Sequence, residues 1–536
     1  MNLSFRTLLP FLFVLVLLIG VTIGLRLSPA STGKPALFAT AEGSRLEEIL
    51  GYIDYNYVDT LNTDALMRSL VKEYLDRDEV IEDIFKRLDP HSGYIPAINL
   101  QSETESLQGN FEGIGIEFNI IRDTILVVSP ISGGPSESLG IRSGDRIVEV
   151  GDSVVAGVGI SEDQVRNLLR GPKGTTVKIA VRRNGDKELL PFKIVRDQIP
   201  LYSLDVAYMV DERIGYLKLN RFSATTVEEF GAALDKLKGQ GMKSLILDLR
   251  GNPGGYLIAA TRLTDELLAG KKMIVYTEGK TARREEFMSG NQGRFEQGDI
   301  VLLIDEGSAS ASEIVAGALQ DHKRAAVVGR RSFGKGLVQE IFSLNDSSAI
   351  RLTVARYYTP NGRCIQRPYD NGVDAYYEEY EERLEAIGQE GGAGEASKPD
   401  YGILPNYVIP LDTTEDRKAF YRLYNSGQLQ RFAYDLYGRD QARIQAYASV
   451  SAYQQDYAIS PEQWDRFVNR VAASNLLPDA AQRTRIRPWI ETAIKAQVAR
   501  QAWKNEGFYP VFHGIDPDFQ KAYDLLRSGE ARNLIK

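Results

Sequence analysis

The stretch SLILDLRGNPGGYLIAATRLTDELL, residues 244–268, decides the fold class. Ser244–Leu249 is a short, almost unbroken apolar run, the pattern of a buried strand. Arg250–Gly255 (RGNPGG) is dense in glycine and proline and marks a tight turn. From Leu257 to Leu268 the chain reads as a helix. The same alternation runs outward in both directions. Ile214–Leu219 reads as a strand, and Val227, Phe230, Leu234 and Leu237 mark one face of a helix. Strands are expected at Met273–Thr277, Ile300–Ile304 and Ala325–Val328, with a helix over Ser312–Gln320. Strands and helices in alternation imply an α/β domain.

The flanking regions differ. Leu8–Leu25 is uncharged and almost wholly apolar. As a helix it would reach roughly 27 Å, close to a hydrocarbon core, which predicts a signal anchor, with a cleaved signal peptide as the alternative. Residues 27–42 form a Ser/Pro/Ala/Gly linker. Helical spacing recurs between Arg45 and Leu88 (Leu46, Ile49, Leu50, Ile53; Val80, Ile81, Ile84, Phe85, Leu88). Short β-type runs with Gly-rich turns fill 105–195, and the Gln389–Lys398 run reads as a surface loop. The chain after Asp412 reads as helical and holds all three tryptophans, Trp464, Trp489 and Trp503, so a separate core is expected there. The division is 1–42 anchor and linker, 43–104 helical, 105–197 β-rich, 198–412 α/β core and 413–536 helical.

Composition excludes some chemistry. A net charge of −8 over 536 residues argues against a general nucleic-acid binder. Cys364 is the single cysteine, so no intramolecular disulfide forms and no C-x-x-C metal site exists. Histidines number three, His91, His322 and His513.

The chemistry-bearing segment is EGSASASEI, 306–314. Ser310 with Glu313 three residues on is a capping-box pattern. A serine at a helix start also lies beside unpaired backbone N–H groups and the positive end of the helix dipole, which stabilise a developing oxyanion. A nucleophilic serine needs a base. His322 sits twelve residues further along the helix, roughly 18 Å away at standard rise, too far to reach back. Lys335, between Gly334 and Gly336 and beside Phe333, Leu337 and Val338, is the alternative. Its pKa would have to fall roughly three units from about 10.4, which burial supplies. The RGNPGG turn offers further free N–H groups.

Several stretches together resemble the carboxyl-terminal processing peptidases, also called tail-specific proteases. They are LDPHSGY (88–94), GNFEGIGI (109–116), LGIRSGDRIVEVGD (139–152), LDLRGNPGG (247–255), EGSASASEI (306–314), FGKGLVQ (333–339) and YYTPNGRCIQ (357–366). The resemblance covers residues 45–412 and implies a PDZ domain at 105–197 and a serine protease core at 198–412. It puts the nucleophile on Ser310, the base on Lys335 and a lysine-orienting glutamine on Gln339. An extended strand would hold Lys335 and Gln339 roughly 13 Å apart, so a bend is expected there. The implied oxyanion donors are the Ala311 N–H and that of Gly254 or Gly255. Phe111, Gly113, Ile114 and Gly115 match the loop that binds a C-terminal carboxylate. The expected fold is therefore multidomain α/β: membrane anchor, helical segment, PDZ domain, protease core and C-terminal helical domain. The expected function is a serine endopeptidase cutting proteins near their C-termini, needing no metal or cofactor. Its expected partners are protein C-terminal tails, a membrane through the N-terminal helix and a second copy of the chain, and its expected place is the periplasmic side of a bacterial inner membrane. Cys364 stands where the family more usually has a small residue such as serine.

Two rivals remain open on sequence. Gly329–Lys335 fits G-x-x-x-x-G-K after an apolar strand, as in a P-loop, but Gly336 stands where a metal-binding Ser or Thr is needed. A non-catalytic PDZ scaffold would have the same domains without using Ser310 and Lys335.

Overall fold

The computed structural model describes residues 41–62, 77–120, 123–131, 133–142, 144–183, 188–290, 292–390, 401–472, 474 and 476–536. Among the described residues no helix is long and apolar enough to cross a membrane. This corrects the expected architecture. The anchor expected at Leu8–Leu25 lies outside the described residues, and the membrane contact and periplasmic-side location built on it have no support in the structure. The expected surface loop is a helix as far as Glu390, and its remainder, 391–398, lies outside the described residues.

The α/β core is a six-stranded sheet in the order Leu204–Met209, Ile214–Leu219, Ser244–Asp248, Asp299–Ile304, Ala326–Gly329, Tyr407–Val408. The first pair is antiparallel and the other neighbours are parallel. Leu245, Ile246, Leu247 and residues 301–304 are buried, because helices cover both faces of the sheet. Thr226–Gly239, Leu257–Asp265 and Ala311–Asp321 cover one face. The other face is covered by the last helix of the chain, Pro517–Ser528, through Phe519, Ala522, Leu525 and Leu526. The tail also has a core of its own around Phe420, Phe432, Trp464, Phe467 and Ile490. Its final turn and helix leave that core and finish the protease sheet.

Adjacent parallel strands end on the same side, where α/β sheets bind ligands. The loops leaving Ser244–Asp248, Asp299–Ile304 and Ala326–Gly329 are the glycine turn, the serine segment and the lysine loop, and they meet there. A second, antiparallel sheet flanks this end. Its long strand Ala349–Tyr358 pairs with Leu337–Ser343, which follows the lysine loop, and with Gly93–Ile95 of the LDPHSGY stretch.

The β-rich unit is an antiparallel sheet in the order Ile116–Ile120, Ile125–Pro130, Arg146–Val150, Thr176–Arg182, Leu190–Val195. Ile116–Ile120 is an edge strand. Ile125, Val127, Ile147, Val165, Val181 and Ile194 close its core. The helix Glu162–Leu169 starts on a capping box between Ser161 and Gln164.

Candidate active site

Ser308 and Ser310 precede the helix Ala311–Asp321 and Ser312 lies in its first turn, and their surroundings separate the three. Ser308 is fully buried and donates its hydroxyl to the Leu249 carbonyl at 2.8 Å. Ser312 is fully buried and donates to the Asn252 carbonyl at 2.9 Å. Both hydroxyls staple the serine segment to the glycine turn. Ser310 is only partly buried and holds φ 53°, ψ −113°, a conformation L-residues rarely adopt. Such strain costs on the order of 1–3 kcal/mol and persists where the surroundings impose it.

Those surroundings are Gly254 and Gly255. A β-carbon on Gly254 would stand 2.8 Å from the Ser310 Cβ and 2.8 Å from the Ala311 nitrogen. One on Gly255 would stand 1.9 Å from the Phe222 carbonyl oxygen. Only glycine lets this turn pack so closely on the serine. The Gly254 N–H donates to Asn252 Oδ1 at 2.9 Å. Among the described residues the N–H groups of Gly255 and Ala311 have no acceptor, so of the two expected glycines the second has its donor free.

Lys335 Nζ donates to Gln339 Oε1 at 2.9 Å, and Gln339 Nε2 donates to the His91 carbonyl at 2.6 Å. The contact arises because Lys335 precedes the strand and a bulge between Val338 and Gln339 shifts the register, which supplies the expected bend. Among the described residues no hydrogen bond joins the amine to the Ser310 hydroxyl. Burial lowers the Lys335 pKa from 10.5 to about 8, with the Arg351 charge adding to the shift and Asp89 and Glu313 opposing it. His91, beside this cluster, is held neutral by burial and then by the positive charges of Lys335, Arg351 and Arg367.

Two side chains hold the serine and lysine backbones together, and the sequence reading did not find them in this role. Glu313 is almost fully buried. Its Oε2 accepts the N–H of Ser310 at 2.8 Å and that of Lys335 at 2.9 Å. Its Oε1 accepts the Ser332 hydroxyl and the Gly334 N–H, both within 2.7 Å. Burial raises the Glu313 pKa to about 7 against these four hydrogen bonds, each of which lowers it. Tyr357, also buried, donates to the carbonyl oxygens of Ser310 and Lys335. A glutamate directly before the apolar run Ile314–Leu319 was the available signal for Glu313; Tyr357 had none beyond its motif. Glu313 takes the Gly334 and Lys335 N–H groups, so these two donors are not available to cradle a phosphate as they would be in a P-loop.

The C-terminal tail reaches the back of the same site. Arg250, at the start of the glycine turn, bonds Asp248, Asp516 and Asp518. Arg330, at the start of the lysine loop, bonds Glu306 and the same Asp518. Asp518 thus joins two loops that carry the expected site residues.

In the β-rich unit, Phe111 and Gly113 lie in a strand paired with Asp197–Pro200, and Ile114 and Gly115 form the loop before Ile116. Among the described residues the N–H groups of Ile114 and Gly115 have no acceptor.

Comparisons with known proteins find matches to both units of the chain. Peptidase family S41 matches residues 213–377 and the PDZ domain matches 113–194, while a family of unknown function matches 419–504. A carboxy-terminal-processing protease of Bartonella bacilliformis is 40% identical over 54% of this chain and 67% of its own length. The carboxy-terminal processing protease CtpA of Bacillus subtilis is 34% identical over 62% of this chain and 71% of its own. Among solved structures, a photosystem II D1 C-terminal processing protease aligns at 24% identity over 69% of this chain and 94% of its own, with a TM-score of 0.42. A PDZ unit joined to a serine-bearing α/β core, with relatives at this identity and coverage, makes the chain a member of the S41 carboxy-terminal processing proteases, serine endopeptidases that cut near C-termini and recognise substrate through the PDZ domain.

Proposed function

We propose that Ser310 is the nucleophile and Lys335 the general base, oriented by Gln339. The observation that carries this is the double clamp of Glu313 and Tyr357 on both backbones, next to an amine whose pKa burial brings to about 8. The Lys335 amine turns from Gln339 to the Ser310 hydroxyl and takes its proton as Oγ attacks the scissile carbonyl. The developing oxyanion is met by the N–H groups of Ala311 and Gly255, with Gly254 supplying the close approach. Lys335 then delivers the proton to the leaving amine, and water resolves the acyl-enzyme. Phe111, Gly113, Ile114 and Gly115 form the tail-binding loop, with the Ile114 and Gly115 N–H groups meeting the terminal carboxylate.

The test is cleavage of an unstructured, tail-bearing protein beside tail-peptide binding. Ser310→Ala and Lys335→Ala each abolish cleavage and leave binding intact. Full cleavage by Ser310→Ala would refute the assignment.

A further inference from the structure

The tail-binding groove has a direction. Gly113 lies against the C-terminal end of the helix Glu162–Leu169, where a β-carbon on it would meet Arg170 Cα at 3.5 Å and the Leu169 carbonyl at 3.6 Å. A tail whose carboxylate sits on the 111–115 loop therefore begins at that end. Added antiparallel to the free edge of Ile116–Ile120, it leaves past Ile120 and past Glu162 at the helix's other end. At about 3.4 Å per residue, the tail residue opposite Ile120 is roughly the fifth from the C-terminus.

A cavity of about 360 Å³ borders that exit, and Asn119, Ile120, Leu126, Val128 and Glu162 form one wall. The opposite wall belongs to the C-terminal helices, with Arg431, Tyr434 and Arg500. This wall is docked on the PDZ unit. The Tyr434 hydroxyl comes within 2.7 Å of where a β-carbon on Gly144 would stand, and Lys504 reaches Glu137 at 3.8 Å.

The charged residues lining the cavity are two arginines and one glutamate. Arg431 donates to the neutral carbonyls of Ser426 and Gly427 and keeps its charge uncompensated. Arg500 packs near the Phe508 ring, and among the described residues neither arginine has a carboxylate partner. The acid in the cavity, Glu162, is paired with Arg166 at 2.9 Å. We propose that this cavity extends the tail-binding groove and takes an acidic side chain four to six residues upstream of the substrate's C-terminus, with Arg500 and Arg431 as its cationic groups. The proposal rests on the 111–115 loop holding the carboxylate. It gives the C-terminal helices a part in selecting substrate.

The experiment uses the full chain carrying Ser310→Ala and fluorescent peptides read by anisotropy. One ten-residue peptide has Glu at the fifth position from a free carboxyl end, a second has Lys there, and a third is the last four residues alone. The Glu peptide is expected to bind about tenfold tighter than the other two, and Arg500→Gln is expected to erase that preference while the four-residue peptide binds as before. Equal binding of all three peptides overturns the subsite and leaves the carboxylate loop standing. Failure of every peptide, or binding that survives amidation of the carboxyl end, overturns the loop assignment and the subsite with it. The Glu/Lys comparison on the unsubstituted groove does not depend on how Arg500→Gln folds.

Discussion

Cleavage by this enzyme should switch on with the titration of one buried amine. With a pKa of about 8, Lys335 is neutral in roughly 9% of molecules at pH 7 and roughly 90% at pH 9, so kcat/KM should climb about tenfold over that interval with its midpoint near pH 8. The perturbation that tests the cause is Arg351→Met. Arg351 adds a like charge that helps depress the amine, so its removal should move the midpoint to higher pH. The assay is kcat/KM on an unstructured reporter with a tail, from pH 6 to 10 at constant ionic strength. The same shift has a stability consequence. The folded amine titrates near 8 and the unfolded one near 10.5. Between those values the unfolded chain holds more protons, so stability rises with pH across that window. Below pH 8 both states are protonated and the full penalty, about 3 kcal/mol, stands. Lys335→Met should therefore be inactive yet more stable at pH 7 by up to about 3 kcal/mol, with the gain fading as pH rises from about 8 to 10.5. A flat rate profile, a midpoint at 10 or above, or a downward shift in Arg351→Met would refute the reasoning.

Three further substitutions test the supporting structure. Glu313→Gln would turn an amide NH₂ toward N–H donors that now share a carboxylate, which should cost about 1–3 kcal/mol in a urea melt and lower kcat. Gly254→Ala would drive a β-carbon to 2.7 Å from the Ala309 carbonyl at φ 97°, and kcat should fall about 100-fold or more while tail binding is unchanged. Asp518→Asn would weaken the carboxylate shared by Arg250 and Arg330 from the C-terminal tail. It should cost about 2 kcal/mol in a urea melt and reduce kcat more than KM, and a KM effect alone would count against a role in holding the two loops.

How much of this was legible beforehand follows from the range of each interaction. Ser244–Asp248 and Leu257–Asp265 are written as a buried strand and a helix within one short stretch, because apolar periodicity and turn chemistry are local properties. Ser310 at a helix start, the apolar neighbours of Lys335 and the glycine turn were readable for the same reason, and the motif resemblance set their expected roles. The anchor reading of Leu8–Leu25 was local too, but nothing among the described residues supports a membrane span.

The sequence by itself determined which segments are strands, helices and turns, which serine and lysine to examine, and which relatives to expect. Only the tertiary structure decided that Glu313 and Tyr357 clamp the two backbones, that a register bulge lets Gln339 reach Lys335, and that Asp518 ties together loops beginning at Arg250 and Arg330. Apart from the bulge and the local Ser310–Glu313 bond, those contacts join residues between 22 and 268 positions apart. No local pattern encodes such pairs, because they exist only once parallel strands have brought their ends to one side of a folded sheet.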